Sequence, residues 1–149
     1  MIIYLGADHG GFKLKEEIKS YLTTLGMETE DMGVMALNPD DDYPDFIIPV
    51  AKKVASNSES LGIIIGRSGN GEAIAANKFK GIRAALCWNE EMALKARQHN
   101  NANILSLGAD YITPENAKKI AQKFLETAFS NEQRHLRRLR KIEEIEKLR

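Results

Sequence analysis

The sequence predicts an α/β fold, a three-layer sandwich built on a five-stranded parallel, Rossmann-like sheet. Three observations carry this reading. Five short apolar runs recur along the chain, among them Ile2-Ile3-Tyr4-Leu5 and Leu61-Gly62-Ile63-Ile64-Ile65. Stretches with apolar residues at helical spacing separate them. The two kinds alternate, and such alternation implies right-handed βαβ units with helices on both faces of the sheet. Five strands suit the flavodoxin-like order 2-1-3-4-5, whose switch point lies between the first and third strands.

The elements follow in order. Ile2–Ala7 reads as the first strand, with Asp8-His9-Gly10-Gly11 as the turn at its carboxyl end. Phe12 to Leu25 is an amphipathic helix, with Phe12, Leu14, Ile18, Tyr21, Leu22 and Leu25 on one side and lysines and glutamates elsewhere. Gly26 ends it. Met27–Met32 is a short, weak second strand, and Gly33 to Tyr43 is a loop made acidic by Asp40-Asp41-Asp42. Pro44 opens a helix to about Ser56 that must accommodate Pro49. Leu61–Ile65 is a buried third strand. Ile82–Leu86 and Ala102–Leu107 are the fourth and fifth strands, separated by a helix capped by Asn89 and running to about His99. Thr113 caps and Pro114 begins the next helix, to about Ala128, and Asn131 to Leu148 is a final charged helix.

The chemistry is expected at Gly66-Arg67-Ser68-Gly69-Asn70-Gly71-Glu72, the turn between the third strand and the helix Ala73–Lys78. Its three glycines permit positive φ and close approach by a ligand. Asn70 or Ser68 is placed to cap the helix, and free amides at that helix start favour an anion. Glu72 stands in the first helical turn beside it. A carboxylate next to an anion site suits a base that generates an oxyanion. The spacing is not that of a dinucleotide fingerprint.

Composition bounds the rest. A length of 149 residues fits one domain, 1–149, with a C-terminal helical arm over 131–149. Lysines and arginines number 21, as do aspartates and glutamates, so net charge makes no case for nucleic acid or a membrane surface. No apolar run approaches a membrane span, and Met1-Ile2-Ile3-Tyr4 lacks a signal peptide's basic start. The lone Cys87 excludes an intrachain disulfide, fits a reducing cytoplasm, and reads as a small buried hydrophobe. Trp88 reads as core or interface. No metal-ligand spacing is present. In the last helix Leu136, Leu139, Ile142, Ile145 and Leu148 form one stripe, while Arg134, Arg138 and Lys141 share another face. Like charges at that spacing repel unless an anion lies between them.

Five stretches together resemble the ribose/galactose isomerase family and its ribose-5-phosphate isomerase B members. They are residues 5–11 (Leu-Gly-Ala-Asp-His-Gly-Gly), 40–44 (Asp-Asp-Asp-Tyr-Pro), 66–78, 98–101 (Gln-His-Asn-Asn) and 133–138 (Gln-Arg-His-Leu-Arg-Arg). The run Ser-Gly-Asn-Gly-Glu-x-Ile-Ala-Ala-Asn-Lys is similar to the actinobacterial branch, in which a glutamate is the base. Many other members use a cysteine at the place of Gly66.

The resemblance implies interconversion of an aldose phosphate and a ketose phosphate through a cis-enediolate, with ribose 5-phosphate the default substrate and no cofactor or metal. Glu72 is then the base. Ser68 and the amides of Gly69, Asn70 and Gly71, with Asn100, hold the enediolate oxygen. His99 and Asp8 open the sugar ring, and His9 and Tyr43 line the sugar and phosphate pocket. Arg134 and Arg138 hold the phosphate of the neighbouring subunit, which makes the protein a homodimer or a dimer of dimers. Two positions depart from the family pattern. Arg67 stands where relatives usually carry glycine, and Asp110 where relatives that bind pentose phosphate usually carry arginine. Arg67 is expected to pair with Asp110 or to take part of the phosphate contact. The rival readings are the same chemistry on a four- or six-carbon sugar phosphate, and a non-catalytic sugar-phosphate-binding subunit.

Overall fold

The computed structural model describes all residues, 1–149. Strands and helices alternate as β1 (Ile2–Ala7), α1 (Phe12–Thr24), β2 (Glu28–Asp31), α2 (Pro44–Ser56), β3 (Leu61–Gly66), α3 (Asn70–Ala76), β4 (Ala84–Leu86), α4 (Glu90–Asn100), β5 (Ile104–Gly108) and α5 (Pro114–Glu126), with α6 (Gln133–Glu146) last. All strand pairs are parallel. Alternate residues of each strand feed two cores. Ile3, Leu5, Ile63, Ile65, Leu105 and Leu107 meet α1, α4 and α5 on one face. Tyr4, Ile64 and Ile104 meet α2 and the end of α3 on the other. This is the expected three-layer α/β sandwich.

The strand order is β2-β1-β3-β5-β4, so the last two strands are exchanged relative to the expected 2-1-3-4-5. Burial explains the exchange. An inner strand covered on both faces must be continuously apolar, and β5 is buried at every position, whereas the three residues of β4 are only half-buried. The weaker strand therefore takes the edge. The exchange also reverses the β4-to-β5 crossover, and right-handedness then places α4 on the α1 face. The β1/β3 neighbours are retained, so the crevice at their carboxyl ends is retained too.

Local signals behave as their chemistry dictates. Asn89 and Thr113 cap α4 and α5 by accepting hydrogen bonds from the amides of Met92 and Asn116. Pro49 stays inside α2; it forfeits one backbone bond, to the carbonyl of Asp45 in the exposed first turn. The expected cap of α3 is absent. Gly69, at φ 79°, takes that position without a side-chain bond, while Ser68 Oγ accepts from the Asn70 amide at 3.2 Å. At the free edge of β4, Asn77 does the work of a neighbouring strand: its Nδ2 donates to the Ala84 carbonyl at 3.0 Å and its Oδ1 accepts from the Ala84 amide at 2.8 Å.

The apolar side of α1 is narrower than its sequence suggests. Leu25 is exposed and Phe12 only half-buried, while Lys15 is fully buried. Lys15 Nζ donates to both Asp31 carboxylate oxygens, at 2.7 and 2.8 Å, and to the Val34 carbonyl at 2.6 Å. Asp31 also accepts from Lys19 Nζ and from the Gly33 amide. Burial acts to raise the Asp31 pKa, but Lys15, Lys19 and the Gly33 amide outweigh it and hold the carboxyl below its ordinary value. One ammonium thus ties α1, the end of β2 and the loop 32–43 together. Replacing Lys15 by methionine leaves Asp31 without its main partner. It is expected to cost about 3–5 kcal/mol, and Lys15→Met with Asp31→Asn less than Lys15→Met alone. Denaturant unfolding of the three proteins checks this.

Candidate active site

The turns that follow β1, β3 and β5 pack on one another at the carboxyl edge. A Cβ at Gly10 would lie 2.5 Å from Arg67 Cγ, and one at Gly108 would meet the Ser68 carbonyl. Asp8, His9, Arg67 and Ser68 therefore share one crevice. Tyr43 reaches it from the start of α2, with its Cζ and hydroxyl 2.7 and 2.9 Å from where a Cβ of Gly71 would stand.

Glu72 is 4 % exposed. Its carboxylate fills the volume that a side chain at position 66 would need, since a Cβ on Gly66 would overlap Oε1 and crowd Cδ and Oε2. Glycine at the end of β3 is thus what admits the carboxylate to the sheet edge. Burial raises the pKa of Glu72, and the charge of Asp8 adds to the rise; the amides of Glu72 and Gly69 pull the other way and lose. Of the turn amides expected to hold an oxyanion, that of Gly69 faces Glu72 itself and that of Asn70 is donated to Ser68 Oγ, which leaves that of Gly71.

Asp8 is buried and caps the turn before α1, its Oδ1 accepting from the amides of Gly10 and Gly11 at 2.9 and 3.3 Å. His9 is held by Asp41, a residue of the acidic loop. Its Nδ1 donates to Asp41 Oδ1 at 2.6 Å, and its own amide donates to the same oxygen at 3.1 Å. The Asp41 side chain is 6 % exposed, and its Oδ2 is buried without a partner. Ligand atoms of Asp8, His9 and Asp41 lie within 4.8 Å of one another. One oxygen of each carboxylate is engaged within the chain, that of Asp8 by the Gly10 and Gly11 amides and that of Asp41 by His9. Arg67 and Asp110 do meet, as an open pair with Nη1 to Oδ2 at 3.7 Å.

The remaining expected site residues lie at the opposite edge. α4 leaves the carboxyl end of β4 and must return before β5 begins, so its last turn sits where the strands start. The contacts agree: Arg83, just ahead of β4, donates from Nε to the carbonyls of Asn100 and Asn101. The ring of His99 stacks on that of His135, with centroids 4.3 Å apart and planes 16° from parallel. This sets the start of α6, with the exposed Arg134 and Arg138, beside His99. His135 is 3 % exposed and its Nε2 has no partner. Burial, with His99, Arg134 and Arg138, holds its pKa down. A six-residue strand such as β3 is about 20 Å long, so one subunit does not bring His99, Asn100, Arg134 and Arg138 to Glu72.

A cavity of about 510 Å³ adjoins the turn, lined by Ser68, Asn70, Leu86, Cys87, Trp88, Gly108, Tyr111 and Ile112. Trp88 and Tyr111 are exposed, so Trp88 is not a core residue. Cys87 is buried, and burial pushes its thiol up to about 12, which leaves it inert as a nucleophile.

Residues 3–142 match the model of a family described as Ribose/Galactose Isomerase. The chain belongs to the ribose/galactose isomerase family. It is 44 % identical to ribose-5-phosphate isomerase B of Mycobacterium tuberculosis over 147 residues, covering 99 % of this chain and 91 % of that protein. Its fold superposes on the crystal structure of ribose-5-phosphate isomerase B from Mycoplasma genitalium with bound ribulose-5-phosphate, at a TM-score of 0.94 and 43 % identity, over 98 % of this chain and 96 % of that one. The Clostridium thermocellum ribose-5-phosphate isomerase B structure gives 0.94 and 46 %, over 99 % and 98 %. As a member of this family the chain is an isomerase.

The raised pKa of Glu72 has two measurable consequences. If Glu72 is the base that the resemblance implies, it works ionised, and the acidic limb of kcat/KM is expected above the ordinary glutamate value of 4.5; Asp8→Asn, which removes a negative neighbour, is expected to move it to lower pH. A carboxyl whose pKa is raised on folding stabilises the fold fully below its unfolded pKa, and that contribution is lost as pH rises through the folded one. Glu72→Gln is therefore expected to raise Tm at pH 7 and to lose that advantage in acid, as thermal melts across pH will show.

Proposed function

We propose that this chain interconverts ribose 5-phosphate and ribulose 5-phosphate by proton transfer at C1 and C2, in a site completed by a second copy of the chain. The observation that carries the reading is Glu72: a buried carboxylate of raised pKa, seated against a strand end without a side chain, with Ser68 and the glycine turn beside it. The substrates acted on by the relatives supply the sugar.

Glu72 takes the C2 proton of the open-chain aldose, the electron pair forms the C1–C2 double bond of a cis-enediolate, and the carbonyl oxygen becomes the oxyanion. Ser68 and the Gly71 amide hold that oxygen, with Asn100 of the second copy. The C2 hydroxyl passes its proton to the C1 oxyanion as Glu72 returns the abstracted proton to C1, and the C2 carbonyl that results is that of the ketose. Burial makes Glu72 a stronger base than an exposed glutamate, and proton transfer to carbon benefits from that match. Asp8 and the second copy's His99 exchange protons with the ring oxygens to open the sugar. Tyr43 and His9 line the pocket, His9 oriented by Asp41.

The division of His99, Asn100, Arg134 and Arg138 from Glu72 supports a homodimer or larger assembly. The apolar stripe of α6 is divided in the same sense: Leu139 is buried on its own subunit, whereas Ile142, Ile145 and Leu148 are 44, 58 and 85 % exposed. We take 131–149 as an arm whose start feeds a partner's site and whose end packs on the partner, within a single domain that works in the cytoplasm. No helix of the chain is long and apolar enough to cross a membrane.

Purified protein is expected to turn over ribose 5-phosphate alone, and Glu72→Gln to lose about 10²–10⁴-fold or more in kcat. A Glu72→Gln protein with near-full rate removes the base assignment. Mixing inactive Glu72→Gln and Arg138→Ala chains is expected to restore activity, because one of the two composite sites is then intact. Mixed dimers that form and stay inactive place Arg138 and Glu72 in one subunit's site.

A further inference from the structure

The loops that follow the five strands at the carboxyl edge are residues 8–11, 32–43, 67–69, 87–89 and 109–113. They hold five aspartates, Asp8, Asp40, Asp41, Asp42 and Asp110, no lysine, and one arginine, Arg67. Glu72 adds a further acid. A phosphate dianion approaching this rim meets its own sign nearly everywhere, and Arg67 is the one fixed cation these loops offer.

Arg67 is built for that duty. Its stem lies against the His9 turn, where Gly10 leaves room for it. Its backbone is locked to Asp110, whose amide donates to the Arg67 carbonyl at 3.0 Å, whatever the side chains do. Its guanidinium is open, 65 % exposed and 3.7 Å from a carboxylate that is itself 52 % exposed. A surface pair this open adds little to stability, whereas a guanidinium grips phosphate through paired, charge-assisted bonds. Arg67 is also rooted one residue from Gly66, against which the Glu72 carboxylate rests.

Resting on the isomerase reading above, we propose that Arg67 is the phosphate-reading residue of this subunit and that Asp110 is its holding partner. Asp110 keeps the guanidinium at the rim of the site and releases it to the substrate. The pair sets the preference for phosphorylated over plain sugar: Arg67 supplies the attraction, and Asp110 makes any ligand without a dianion a poor competitor.

The test measures kcat and KM for ribose 5-phosphate, and separately the affinity for inorganic phosphate by calorimetry, in the wild type, Arg67→Ala, Arg67→Lys, Asp110→Asn and Arg67→Ala with Asp110→Asn. The side chains are exposed, and thermal melts verify folding. Arg67→Ala is expected to raise KM and weaken phosphate binding by about 10–150-fold, the size of a lost charged hydrogen bond, with a smaller effect on kcat. Arg67→Lys keeps part of the binding. Asp110→Asn tightens both quantities, and that gain disappears when Arg67 is alanine. Unchanged KM and phosphate affinity in Arg67→Ala overturn the proposal, as does an equal gain from Asp110→Asn in both backgrounds. A wild type that binds phosphate through Arg67 yet leaves ribose 5-phosphate unchanged overturns the substrate reading and leaves this one standing.

Discussion

Every strand of the sheet runs the same way, and the placement of the chemistry follows from that constraint. Parallel strands force each connection to leave at the carboxyl edge and return at the amino edge. Strand-end turns therefore gather at one edge, where Asp8, His9, Arg67, Ser68 and Glu72 meet. Helix ends gather at the other, where His99 and Asn100 close α4 and His135 seats α6. A residue at the end of α4 and one at the end of β3 are separated by the length of a strand. A site that uses both sets, as proposed above, needs a second copy of the chain to bring them together.

At the carboxyl edge the decisive choice is an absence. β3 ends in Gly66, and the missing side chain is replaced in space by the carboxylate of Glu72 from the following helix. Two influences compete there. Amides at the start of α3 favour the anion, while the sheet edge and Asp8 disfavour it, and the second pair prevails. A carboxylate held in this way is more basic than an exposed one.

The elements were legible in the sequence because their signals are local. Apolar runs, helical spacing, Asn89 and Thr113 as caps and Gly26 as a stop each act within a few residues. The glycine turn and Glu72 were legible for the same reason. Strand order was less so: whether Ile104–Gly108 or Ala84–Leu86 lies inside depends on comparing burial between strands that are distant in sequence. The bonds of Lys15 to Asp31 and Val34 were hidden, since a lysine at that spacing reads as a solvated face, and only the loop after β2 provides its partners. Asp41 lay inside an acidic run whose members look alike until one of them meets His9. His135 was visible between two arginines, but its stack on His99 is made across 36 positions of chain. The opposing placement of Glu72 and His99 needed the direction of α4, which topology alone supplies.

The Asn77 side chain has a consequence for how copies of the chain meet. An amide group reproduces the donor and acceptor of a peptide unit, and Asn77 spends both on Ala84. The outer rim of β4 is thereby blocked to a further strand at Ala84. The opposite rim, β2, carries Glu28, Glu30 and Asp31, charges that discourage the same intrusion. Both borders thus carry features that disfavour joining sheets end to end into a continuous ribbon. Any association between copies is then left to side chains on helices and loops, where contacts are specific to shape.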